Sequence, residues 1–165
     1  MKTSAMSSRA LQSPYASTST KSNPRVLTST ILFPELATRL ATAWINTDVH
    51  LPRGLRAHFI FSILYHGRVV DEWCILFPGG AATPQVHHAA IPPGGKASGI
   101  PVVVLELEDR ELVKYITGGL TGLKGVTTGR IRVAGDTDLA LRLEEMFVKL
   151  GGVKQALEYL RQSRL

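Results

Sequence analysis

Apolar residues recur along this chain with two periods. Between Thr30 and Asn46, Phe33, Leu36, Leu40 and Trp44 return every three or four positions. That spacing predicts a helix, with Pro34 suited to its early turn. From Arg56 to Tyr65 and from Val69 to Phe77 the apolar runs are short and bounded, and each predicts a strand. In the second, Val69, Asp71, Trp73, Ile75 and Phe77 share one face, and Val70, Glu72, Cys74 and Leu76 share the other. His66-Gly67 between the runs supplies a tight turn, so the two strands form a hairpin.

Pro and Gly punctuate Pro78 to Gly99, which reads as loop with a short strand near Gln85–Ala90. Pro101 to Leu107 is rich in Val and predicts another strand. Asp109 is placed to cap a helix running to Thr117, with Leu112, Tyr115 and Ile116 on its apolar face and Gly118-Gly119 at its end. Leu120–Thr128 reads as a glycine-broken, semi-helical link, and Gly129 to Ala134 as a strand. After Gly135-Asp136, the residues Leu139, Leu143, Met146, Phe147 and Leu150 make one apolar helical stripe. Gly151-Gly152 break the chain before a last short helix, Val153 to Arg161. Strands and helices cluster rather than alternate, so the fold class is α+β: a mainly antiparallel five-stranded sheet covered on one face by helices.

Composition narrows the function. The chain has 165 residues, of which 44% are hydrophobic, enough for one domain with a substantial core. No run of about 18 apolar residues occurs, which excludes an ordinary transmembrane helix. Cys74 is the single cysteine, so no intramolecular disulfide is available. The net charge of +6 is concentrated at the start: residues 1–34 carry Lys2, Arg9, Lys21 and Arg25 and no acid, leaving 15 basic against 13 acidic residues, a net of +2, in the rest. A nearly neutral folded part without a basic, aromatic-interleaved stripe does not suit nucleic acid. Residues 1–26 are rich in Ser and Thr and poor in large apolar groups, so they read as a disordered tail. Their basic, acid-free character also resembles a mitochondrial transit peptide, but no amphipathic helix runs through them.

Catalytic and metal chemistry finds little support. His87 and His88 are neighbours on a strand, point to opposite faces, and have no further ligand at a suitable spacing. Asp71 and Glu72 likewise alternate faces and make a poor acid/base pair. Cys74 has no partner base in sequence and reads as a buried, inert thiol. Gly94-Gly95 follows Pro92-Pro93 in a loop rather than a strand, which does not fit a phosphate-binding turn.

From Thr117 to Leu143 the sequence resembles the C-terminal half of the sterol carrier protein 2 domain. Thr117-Gly118, ten residues, Gly129-Arg130-Ile131-Arg132-Val133, Gly135-Asp136 and Leu139-Ala140-Leu141-Arg142-Leu143 parallel the family's Thr-Gly, a spacer of that length, Gly-Lys-Leu-Lys-Ile-x-Gly and Leu-Ala-Met-Lys-Leu. The likeness extends back through the helix at Asp109 and, more loosely, to the hairpin. The Pro/Gly-rich loop and the N-terminal tail depart from the family.

The resemblance implies a domain over residues 27–162 that binds a lipid (sterol, fatty acid or fatty acyl-CoA) in an apolar hollow between helices and sheet, without catalysis and without a metal or redox cofactor. Carried over, the wall residues are Leu112, Tyr115, Ile116, Leu120, Leu123, Leu139, Leu143, Met146 and Phe147; Trp44, Trp73 and Ile75 join them from periodicity. Ser163-Arg164-Leu165 is a conservative version of the Ser-Lys-Leu peroxisomal address, which implies the peroxisome as compartment and its import receptor as partner. The alternative is an accessory protein or small enzyme that handles a hydrophobic intermediate, or binds a peroxisomal enzyme directly.

Overall fold

A computed structural model describes residues 25–95 and 99–163. Residues 1–24 of the predicted tail lie outside the described residues, as do Arg164 and Leu165 of the predicted address. The elements follow in the order α1 (Thr28–Ile45), β1 (Arg56–Tyr65), β2 (Arg68–Pro78), β3 (Gln85–His87), β4 (Val102–Glu108), α2 (Asp109–Ile116), α3 (Gly122–Thr127), β5 (Ile131–Ala134), α4 (Thr137–Lys149) and α5 (Gly152–Ser163).

One five-stranded sheet has the order β3-β2-β1-β4-β5. The β1–β2, β2–β3 and β4–β5 pairs are antiparallel, and β1–β4 is parallel. The sheet is therefore mixed, which corrects the mainly antiparallel expectation. The reason is connectivity. The meander β1-β2-β3 leaves the chain running in the direction of β1, and the link to β4 carries it back to the far side of β1 without reversing it. His58 N–H donating to Pro101 O, 2.8 Å, begins that parallel pairing.

The hairpin turn is built as the sequence indicates. His66 and Gly67 both take positive φ, 52° and 75°, the twist that a two-residue hairpin requires. Glu108 fastens it, accepting from the N–H of His66 at 3.2 Å and of Gly67 at 2.7 Å.

Alternation puts Phe59, Phe61 and Ile63 of β1, Trp73, Ile75 and Phe77 of β2, Val103, Leu105 and Leu107 of β4, and Ile131 of β5 on the core face, all buried. The apolar faces of the helices close over them. Asp109 does not cap its own helix. It is the first residue of α2, whose cap position, Glu108, makes no side-chain cap bond. Its carboxylate instead accepts the N–H groups of Thr28 (2.8 Å) and Ser29 (3.0 Å) at the start of α1, whose own cap position, Leu27, offers no acceptor. The first residue of α2 thus caps α1, because the two helix starts meet in space, which sequence spacing does not reveal.

Candidate functional site

The hollow expected beneath the helical layer is not uniform. At its centre it is filled. Leu143, Met146 and Phe147 from α4 are buried, and the Phe147 ring meets Phe61 at 6.5 Å and Tyr115 at 5.9 Å between centroids. Phe33 of α1 packs edge-on to Phe61 (5.0 Å) and flat against Trp73 (5.1 Å, 8° between planes). Between α1, α2, α4 and α5 this packing leaves a crevice of about 40 Å³ beside Leu32, Ile116, Phe147 and Ala156, room for about three waters and too small for a lipid chain.

At the β4–β5 side the layer opens. A groove of about 360 Å³ lies between α3, α4 and the sheet. Leu105, Ile131 and Val133 supply the strand side, α3 supplies Gly122, Leu123 and Val126, and α4 supplies Thr137, Ala140, Leu141 and Glu144, with Tyr115 at the inner end. Its rim is apolar and wet: Leu123 is 73% exposed, Val126 and Leu141 each 49%. Two glycines set how closely its walls approach. Gly125 lets α3 settle on β5, since a Cβ there would stand 2.5 Å from Ile131 Cδ1. Gly122 lets Glu144 approach, since a Cβ there would stand 2.5 Å from Glu144 Oε1. Thr121 caps α3 by accepting from Lys124 N–H (3.2 Å), and Asp136 caps α4 by accepting from Asp138 and Leu139 N–H (2.8 and 3.3 Å).

Two polar groups interrupt the apolar lining. Glu144 Oε1 accepts the Gly122 N–H. Burial pushes its carboxyl above the usual glutamate range, against the pull of that bond. Tyr115 is buried, and its phenol is pushed up first by burial and then by the charge of Glu144. A groove with apolar walls and a few polar groups at one end is the usual form of a small-molecule site.

Of the residues named from sequence, Tyr115 and Leu123 line this groove, and Ile116 and Phe147 line the small crevice. Leu112, Leu120, Leu143, Met146, Trp44, Trp73 and Ile75 are buried in the core, and Leu139 packs half-buried against it. The groove residues missed from sequence include Leu105, Val126, Ile131, Val133, Leu141 and Glu144. A signal was present in α4. Thr137, Ala140, Leu141, Glu144 and Val148 recur at three- and four-residue spacing on a second face beside the core stripe.

His88 and Asp71, set aside separately in sequence, meet in space. His88 Nε2 lies 2.5 Å from Asp71 Oδ1, with its ring stacked on Trp73 at 4.1 Å. Asp71 also accepts from Ser29 Oγ (3.0 Å) and Trp73 Nε1 (2.8 Å). The cluster pins the β3–β4 link to α1 and β2. Burial raises the Cys74 thiol, more than its backbone bond to His87 lowers it, which leaves it a poor nucleophile. Among the described residues no helix is long and apolar enough to cross a membrane, and no three His, Cys, Asp or Glu side chains are placed to hold a metal ion.

The sequence matches no family model and no curated protein. Solved structures do match. Sterol carrier protein 2 of Aedes aegypti, in complex with the C16 fatty acid palmitate, is 20% identical with a TM-score of 0.54, covering 76% of this chain and 98% of that one. The sterol carrier protein domain 2 of Helicoverpa armigera is 21% identical with a TM-score of 0.52, covering 79% and 93%. Sterol carrier protein 2-like 3 of Aedes aegypti is 13% identical with a TM-score of 0.50, covering 71% and 97%. These structural matches give this chain the sterol-carrier-protein-2 fold.

Proposed function

We propose that the protein is a non-catalytic lipid carrier whose cargo, a sterol or a single-chain lipid, lies in the groove between α3, α4 and the β4–β5 side of the sheet. The observation that carries this reading is the groove itself, with its apolar walls, exposed apolar rim and volume of about 360 Å³. That volume falls within the range of about 300–1,000 Å³ common for small-molecule sites. Each buried methylene contributes roughly 0.8 kcal/mol of gross driving force, reduced by the cost of association. The fold is that of the Aedes aegypti protein solved with palmitate, which supports a lipid as cargo here.

Two measurements test it. Organic extracts of the purified protein, read by mass spectrometry, are expected to contain a lipid in near-stoichiometric amount. The protein is also expected to speed transfer of a fluorescent lipid between vesicles, and Leu123→Asp, which puts a charge on the groove wall, to slow it. Empty extracts together with transfer no faster than in protein-free controls would end the carrier reading. The peroxisomal address belongs to the same proposal, and its support is the tripeptide Ser163-Arg164-Leu165. A fluorescent fusion at the N-terminus should collect in peroxisomes with residues 163–165 present and disperse without them.

A further inference from the structure

Charge around the groove is distributed asymmetrically. On the strand side Leu105, Ile131 and Val133 face in, and alternation places Glu106 and Arg132, 3.0 Å apart, on the other face of the sheet. Lys124, the charged residue of α3, is two positions from Gly122 and so lies on the far side of that short helix. Lys114 of α2 turns to Glu111, 3.9 Å away. On α4, Asp138, Arg142 and Glu145 are exposed and do not line the groove. Among the described residues Glu144 is therefore the charged side chain that lines the groove, and no cation lines it beside it.

Its hydrogen bonding is half complete. Oε1 takes the Gly122 N–H, and Oε2 has no partner among the described residues. Tyr115, at the inner end, is close enough for the Glu144 charge to act on its phenol, and its hydroxyl makes no hydrogen bond with the described residues. The groove thus offers one spare donor and one spare acceptor at the same end.

We propose that the groove selects lipids ending in an uncharged hydroxyl and discriminates against free carboxylates. The cargo oxygen accepts from Tyr115 Oη, and the cargo O–H donates to Glu144 Oε2. A fatty acid carboxylate entering the same end meets a second carboxyl with no cation between them, so one of the two must take up a proton before both can be accommodated. The inference rests on the groove being the lipid site.

Titration calorimetry of the full chain near neutral pH, with 1-dodecanol and with dodecanoate, tests it. Dodecanol should bind about tenfold more tightly than dodecanoate. Glu144→Gln keeps an acceptor for Gly122 and removes the charge, and should raise dodecanoate affinity by about tenfold. Tyr115→Phe should weaken dodecanol by about fivefold. Equal affinity of the two ligands for the unmodified chain, with no gain for dodecanoate in Glu144→Gln, would overturn the selectivity and leave the carrier reading standing. Failure of both ligands to bind would overturn the two together.

Discussion

Where α1 lies over β1 and β2, the space between helix and sheet is filled with rings. Phe33 meets Phe61 edge-on and Trp73 face to face, and Phe59 meets Phe77 edge-on at 5.8 Å. Where α3 and α4 lie over β4 and β5, the same layer is lined by Leu, Ile, Val and Ala, and α3 carries glycine at positions 122 and 125. Both halves face the sheet with apolar side chains, yet one is a core and the other a groove. Side-chain volume decides which. Rings large enough to bridge the distance between layers leave no void, whereas branched aliphatic residues on a short helix leave a gap that a hydrocarbon can fill.

The comparison can be broken from either side. The largest effect is expected in the ring-filled half. Phe61→Ala, at a side chain with no exposure, should lower unfolding stability in urea by about 3–5 kcal/mol. A loss below about 1 kcal/mol would mean that half is not the structural core. Gly125→Ala drives a methyl against Ile131, forcing α3 off β5, and should cost about 1–3 kcal/mol while distorting the groove wall, seen as a lower urea midpoint together with weaker lipid binding. Asp109→Ala removes the cap of α1 and should cost about 1–2 kcal/mol. In the groove half, Leu123→Ser should change stability by no more than about 0.5 kcal/mol while weakening lipid binding.

Burial raises the Glu144 pKa in the folded state, so the folded protein holds that proton more tightly than the unfolded chain does. The resulting stabilisation is complete below the ordinary glutamate range and is lost as pH rises through the raised value. Urea midpoints of the wild type, compared with Glu144→Gln, should therefore fall with rising pH across that window. A constant difference would show that Glu144 is not buried enough to matter.

Local signals in the sequence carried far. The hairpin turn at His66-Gly67, the strand Arg56–Tyr65 and the apolar stripe of α4 stand where the periodicity predicts them, because each depends on neighbours within a few positions. The shortfalls are all non-local. The parallel pairing of β1 with β4 depends on how the chain returns after β3. The capping of α1 by Asp109 depends on two helix starts meeting in space. The groove depends on how far α3 stands from β5, which Gly125 and Ile131 set together. Periodicity marks Leu143, Met146 and Phe147 as inward-facing, but cannot say whether an inward side chain meets another side chain or a void. That distinction requires the volumes on the facing layer, and here the facing layer is Phe61 and Tyr115.

The capping of α1 by Asp109 also bears on the order of events during synthesis. α1 leaves the ribosome well before α2, yet the backbone amides of Thr28 and Ser29 find their acceptor in a side chain 81 and 80 residues further on. A nascent chain that stops short of that residue lacks the acceptor for those two amides. The first turn of α1 is therefore expected to gain its cap only when the C-terminal half docks against it.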